Sequence, residues 1–183
     1  GACFGVVSGY ERPMWYARNK NKAEYNYSYG YQNWYPSAEY ETTNTRKNVG
    51  LFDLTPFSKF ELKGSKAHDE LQRICTANIK NEKGKTTYTQ MLNRDGGIEA
   101  DITVVCLDKD YFRVVSSAAV QNRDKHHILK ILDTNVEFTD VTDEYACLGI
   151  FGPKSRNLIT EIAGDLFQTK NFPFGTGKNI IIK

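Results

Sequence analysis

The sequence predicts an α+β fold, with a mainly antiparallel sheet and helices packed on it. Three observations predict this. Strand-like runs are joined by short turns rich in Asn, Asp and Gly, as at Asn93-Arg-Asp-Gly-Gly97 and Asp108-Lys-Asp110, and such turns close antiparallel hairpins. Residues 57–63 alternate apolar and polar, the mark of a half-buried strand. Helical runs are interspersed among the strands, which suits α+β.

The elements follow in order. Residues 57–63 form a strand that Gly64 ends, and Ser65 is placed to cap a helix carrying Ala67, Leu71, Ile74 and Cys75 on one side. Gly84 marks a turn. Residues 86–92 and 98–107 read as paired strands, and residues 111–116 as a third. Residues 118–132 read as a helix with Val120, His127, Ile128, Ile131 and Leu132 on its apolar side. Residues 136–141 and 145–151 are further strands. Pro153 suits the first turn of a helix that buries Leu158, Ile159 and Ile162 and stops at Gly164. Residues 178–183 read as a last strand. A strand needs a neighbour for its backbone groups, so the chain is expected to be a piece of a longer protein.

Residues 1–45 have a different texture. Seven aromatic residues, Tyr25, Tyr27, Tyr29, Tyr31, Trp34, Tyr35 and Tyr40, are interleaved with Asn, Ser and Gly, and aliphatic residues are scarce. That composition predicts an extended connector arm lying on another surface, followed by a folded domain over residues 46–183. Aromatic arms also stack on single-stranded nucleic acid, but that use needs cations, and residues 25–40 contain no Lys or Arg. Net charge is +2 with 25% charged and 40% hydrophobic residues, so neither a nucleic-acid partner nor a membrane is expected. No apolar run approaches the roughly 20 residues that span a bilayer. Cys3, Cys75, Cys106 and Cys147 are widely spaced, so they are expected to be free thiols with no metal site among them.

Two nucleotide-binding patterns fail. Gly84-Lys85-Thr86 resembles the end of a phosphate loop, but Ile79 stands where that loop needs its first Gly. No Gly-x-Gly-x-x-Gly follows a strand. His68, His126 and His127 have no nucleophile paired with them. The carboxylate that stands out is Asp101. By period-two alternation Ile98, Ala100, Ile102 and Val104 share one strand face, and Glu99, Asp101 and Thr103 the other. Asp is disfavoured within strands, so Asp101 marks either a solvated face or a site.

Several motifs together carry a family resemblance. Residues 48–60, Asn-Val-Gly-Leu-Phe-Asp-Leu-Thr-Pro-Phe-Ser-Lys-Phe, resemble the opening of the folate-binding aminomethyltransferase family, typified by the T-protein of the glycine cleavage system. Residues 88–101 resemble its central hairpin, which ends on an Asp, and residues 148–156 its Gly-Pro element. Gly9-Tyr-Glu-Arg-Pro-Met-Trp-Tyr16 is similar to the junction between flavin and folate domains in sarcosine and dimethylglycine dehydrogenases.

The resemblance implies a partial folate-binding domain that receives the one-carbon unit of an oxidised N-methyl amine on tetrahydrofolate. An FAD-binding domain upstream, absent from this chain, would perform the oxidation, and residues 1–45 would connect to it. The implied partners are folate, a small methylamine substrate and that flavin domain. The implied location is the bacterial cytoplasm or the mitochondrial matrix. Asp101 falls on the family's catalytic Asp, Phe57 on an apolar residue against the pterin, and Tyr88 on a ring that contacts folate. Val114, Ser116 and Ser117 fall on a strand end whose backbone reads the pterin edge; the T-protein has an Asn there, which Ser116 and Ser117 replace. The T-protein has two adjacent Asp residues in the hairpin, where this chain has Ala100-Asp101. The family's second folate-binding cluster lies beyond residue 183, so the chain alone is expected to be inactive. The branches to be told apart are a T-protein-like aminomethyltransferase, a folate-dependent demethylase and a non-enzymatic regulatory relative.

Overall fold

The computed structural model describes residues 1–7, 9–18 and 22–181. They fall into two compact units, residues 1–52 with 150–158, and residues 53–149 with 159–183.

The first unit opens with an antiparallel hairpin of β1 (Ala2–Val7) and β2 (Tyr10–Tyr16), turning through Gly9 at φ 86°. Helix α1 (Tyr35–Lys47) follows, with Pro36 in its first turn and Arg46 and Lys47 in its last, as its dipole favours. Within residues 1–45, β1, β2 and α1 are therefore regular elements where the composition predicts an extended arm. Val6 and Val7 lie outside the aromatic stretch and pair with Glu11 and Tyr10 across the hairpin. Cross-strand partners Cys3 and Trp15 are buried, and the Arg18 guanidinium lies over the Tyr40 ring at 3.2 Å. Strand β3 (Gly50–Asp53) pairs with β9 (Leu148–Phe151) in a two-stranded sheet. Within this unit, Phe52 and Phe151 meet edge to face. Gly152 follows at φ 114°, where a Cβ would stand 2.4 Å from the Asn48 carbonyl oxygen. Only glycine fits that approach.

The second unit is built on a five-stranded antiparallel sheet in the order β5-β6-β7-β4-β8. Its members are β4 (Ser58–Lys63), β5 (Thr86–Leu92), β6 (Ile98–Asp108), β7 (Tyr111–Ser116) and β8 (Glu137–Asp140). Helices α2 (Ala67–Ile74) and α3 (Gln121–Ile131) supply Ala67, Leu71, Ile74 and Ile128 to the core. These meet Phe60, Leu62, Met91, Ala100, Ile102, Val104, Phe112 and Val114 from one face of the sheet. The hairpin turn at 93–97 is held by Asn93, whose Oδ1 accepts from the Asp95 and Gly97 amides. All four cysteines are free.

Four expectations need correction. Ile98 does not join the core face: it is 65% exposed, because β6 there runs past the end of β7 and the β5 register shifts at Met91 and Leu92. Residues 118–132 are not one helix, since a 3-10 turn at Ala118–Val120 precedes α3. In helix α4 (Ser155–Ala163) Ile162 is exposed, and Leu158 and Ile159 are half-buried. Residues 178–181 are not a strand, and residues 182 and 183 lie outside the described residues. The segment before them instead bridges to the start of β5, Thr176 pairing with Lys85.

That bridge crowds a glycine. Gly84 has φ 80°, and a Cβ there would stand 2.6 Å from the Gly177 carbonyl oxygen, whereas Gly96 has φ 81° with open space around it. The left-handed conformation alone costs a non-glycine residue about 1–2 kcal/mol. Urea unfolding should show Gly96→Ala losing about that much and Gly84→Ala losing clearly more. Equal losses would show that the contact with Gly177 yields freely.

Candidate functional site

The alternation in β6 divides its side chains between two environments. Ala100, Ile102 and Val104 are buried under the helices, while Asp101 on the other face is exposed and Thr103 and Val105 are half-buried. Strand β5 pairs with β6 so that Gln90 stands opposite Asp101 and Tyr88 opposite Thr103. Tyr88 is thus the diagonal neighbour of Asp101 on the same face, within reach of a long side chain. Its Oη donates to Asp101 Oδ2 at 2.5 Å. That bond, with lesser help from desolvation and the carboxylate charge, holds the Tyr88 phenol above its ordinary pKa. Tyr88 remains the proton donor and Asp101 the acceptor. The Tyr88 ring is 66% exposed, so the pair presents both an aromatic face and a carboxylate to a ligand.

Phe57 lies on the turn entering β4, its amide bonded to the Leu54 carbonyl at 2.9 Å and its ring half-exposed. Val114 and Ser116 point the other way. Val114 is fully buried in the core, and the buried Ser116 Oγ donates to Asp124 Oδ2. Asp124 also accepts from Arg123 Nη2 at 3.0 Å. The Ser117 carbonyl accepts from Ser58 Oγ at 3.1 Å. The structure therefore brings Asp101 and Tyr88 into contact on one face and sends the side chains of Val114 and Ser116 to the other. Val115 shares the Asp101 face, since its partners are Thr103 on β6 and Lys59 on β4. Alternation within residues 114–117 would have singled it out.

The same face carries a charged cluster further along. Glu61 accepts from Tyr111 Oη and from Arg113 Nε, the latter at 3.0 Å, and the Arg113 guanidinium lies 3.9 Å from the Tyr145 ring centroid. A cavity of about 810 Å³ opens beside it, lined by Lys83, Lys85, Val105, Arg113 and Lys178 among others. His68 Nε2 bonds to the Ile79 carbonyl at 2.9 Å and its ring stacks on Phe112. Among the described residues no group of three or more His, Cys, Asp or Glu is placed to hold a metal ion. Nor is any helix among them long and apolar enough to cross a membrane.

A sheet sealed on one face by helices, with a bonded carboxylate–phenol pair exposed on the other, defines an α+β domain. Residues 1–183 match the family described as the GCVT N-terminal domain, and the chain belongs to it. It is 40% identical over 164 residues to the 4-methylaminobutanoate oxidase (formaldehyde-forming) of Paenarthrobacter nicotinovorans, covering 89% of this chain and 20% of that protein. It is 31% identical over 186 residues to the sarcosine oxidase subunit alpha of Rhizobium meliloti, covering 98% and 18%. To the mitochondrial dimethylglycine dehydrogenase of Rattus norvegicus it is 27% identical over 181 residues, covering 97% and 21%. The chain thus spans about a fifth of the length of these curated relatives. The fold is that of the glycine cleavage system aminomethyltransferase T from Bartonella henselae, with a TM-score of 0.71 and 21% identity over 88% of this chain and 40% of that one.

The charged cluster has a pH signature. The hydrogen bond to Glu61, followed by desolvation, pushes the Tyr111 phenol up to about 12 from an ordinary 10.0. A raised folded-state pKa stabilises the fold fully below the unfolded value and loses that contribution as pH rises through the folded value. Stability should therefore fall between about pH 10 and pH 12, more in the native protein than in Tyr111→Phe. Unfolding midpoints measured across that window check this; parallel curves for the two proteins would contradict it.

Proposed function

We propose that this chain is the folate-binding part of a flavin-linked enzyme of the sarcosine and dimethylglycine dehydrogenase kind. On it, the one-carbon unit of an oxidised N-methyl amine passes to tetrahydrofolate, giving methylenetetrahydrofolate. The observation that carries the reading is the bond from Tyr88 Oη to Asp101 Oδ2 on the exposed sheet face. Among the described residues no donor bonds Asp101 Oδ1, which is left open to a ligand amine. The residues fit folate in type: a carboxylate acceptor, an exposed phenol ring, and the half-exposed Phe57 ring as an apolar wall.

Tetrahydrofolate, when bound, supplies the nucleophilic nitrogen that takes up the one-carbon unit. Asp101 accepts the proton that this nitrogen sheds and returns it to the departing amine. Its negative charge also stabilises positive charge developing beside it. Tyr88 fixes the orientation of the carboxylate, and its ring and that of Phe57 flank the ligand. Residues 114–117 contribute backbone groups at the strand end. Support from kinship comes from the names of the relatives, which act on N-methyl amines. In this reading residues 1–45 connect to the flavin domain of the same protein, in a mitochondrial matrix or a bacterial cytoplasm.

A second reading has one observation in its favour. The relative at 40% identity is named as formaldehyde-forming, so the one-carbon unit could leave as formaldehyde without folate. Turnover of sarcosine, dimethylglycine and 4-methylaminobutanoate by the full-length protein separates the two. The folate reading expects methylenetetrahydrofolate to form and free formaldehyde to fall when tetrahydrofolate is added. Formaldehyde unaffected by tetrahydrofolate would establish the second reading. In the full-length protein, Asp101→Asn should lower methylenetetrahydrofolate formation by about 100-fold or more, the usual scale for a lost acid–base group, while amine oxidation continues. An unchanged yield would remove Asp101 from the reaction.

A further inference from the structure

Lys59 lies at the entrance of β4, and alternation turns it away from the core face that holds Ser58 and Phe60. It is nevertheless only 3% exposed. A buried ammonium is costly unless its donors are met. Here they are met by backbone alone: Nζ donates to the carbonyls of Phe57 at 2.8 Å, Thr55 at 2.9 Å and Thr142 at 3.0 Å. That uses all the protons a lysine has.

The acceptors lie on two different segments. Thr55 and Phe57 belong to the turn entering β4, and Thr142 to a 3-10 turn, Thr142–Glu144, that follows β8. Further bonds join the same segments. The Leu54 amide donates to the Cys147 carbonyl at 2.8 Å, and the Lys59 amide to Thr142 Oγ1 at 3.0 Å. Thr142 is held in turn by Asp140 and Gln121. An apolar side chain at position 59 would fill the space but take the Lys59 donor from three part-buried carbonyls. A shorter polar one would not reach all three from the strand.

We propose that Lys59 is a positioning residue: its ammonium pins the 54–57 turn to the Thr142 segment and so fixes the Phe57 ring as the apolar wall of the ligand site. This rests on the folate reading above. The test uses the full-length enzyme, with Lys59→Met, Lys59→Arg, Phe57→Ala and the Lys59→Met/Phe57→Ala double variant. Hydrogen exchange should quicken in the peptide covering residues 53–59 of Lys59→Met while the hairpin of β5 and β6 keeps its protection. KM for tetrahydrofolate should rise about 10-fold or more with kcat for amine oxidation unchanged. Adding Lys59→Met to Phe57→Ala should raise KM no further, because both remove the same wall. If Lys59→Met fails to fold, Lys59→Arg decides, since it keeps the charge and changes the geometry of the three bonds. A wild-type KM in the folded variant, or KM effects that multiply in the double variant, would overturn the proposal and leave the folate reading standing. A native enzyme that shows no folate-dependent product would overturn both.

Discussion

The second unit depends on one constraint: the five-stranded sheet must seal one face against α2 and α3. Each large aliphatic or aromatic side chain buried there contributes about 1.5–3 kcal/mol, so the register that buries Phe60, Leu62, Ile102, Val104, Phe112 and Val114 is strongly preferred. A strand side chain has only two faces to choose from. Sealing the first face therefore assigns the second, and a slip of one residue would exchange them. Asp101, Tyr88, Glu61 and Arg113 owe their common face to the packing of residues they do not touch.

The second face carries polar groups laid out along the strands. At one place a phenol and a carboxylate are bonded, both open to solvent. Further along, Glu61 is shared by Tyr111 and Arg113, which ties β4 to β7 through side chains as well as backbone. At the strand entrance Lys59 holds a turn by its carbonyls. Bare charge in such a setting would be unfavourable, and each of these groups has its partner. Asp101 differs in being bonded through one oxygen while its residue remains exposed. That is the arrangement expected of a group kept ready for a ligand.

Much of this unit was legible in the sequence because its signals are local. The strands over Thr86–Leu92 and Tyr111–Ser116 and the turn at 93–97 follow from alternation and turn chemistry. The two faces of β6 follow from the same period, and with them the exposure of Asp101. The contact between Tyr88 and Asp101 was not legible from spacing, because it depends on which residue of β5 lies opposite Thr103. The role of Lys59 was hidden for a similar reason: a lysine in an alternating strand reads as solvated, and its acceptors lie up to 83 positions away in the chain. The hairpin of β1 and β2 was missed because the aromatic composition of residues 25–40 was extended to the residues before it. Residues 178–181 are not a strand, since an apolar run by itself does not specify which backbone it pairs with.

The central claim is that the open face of this sheet receives folate at Asp101. Its most direct test is a structure of the full-length protein with 5-formyltetrahydrofolate, a stable reduced folate, bound. The account predicts the pterin against the Asp101 face, a folate nitrogen within hydrogen-bond distance of the Asp101 carboxylate, and the rings of Tyr88 and Phe57 alongside. Folate bound elsewhere, with Asp101 and Tyr88 still bonded only to each other in solvent, would contradict it.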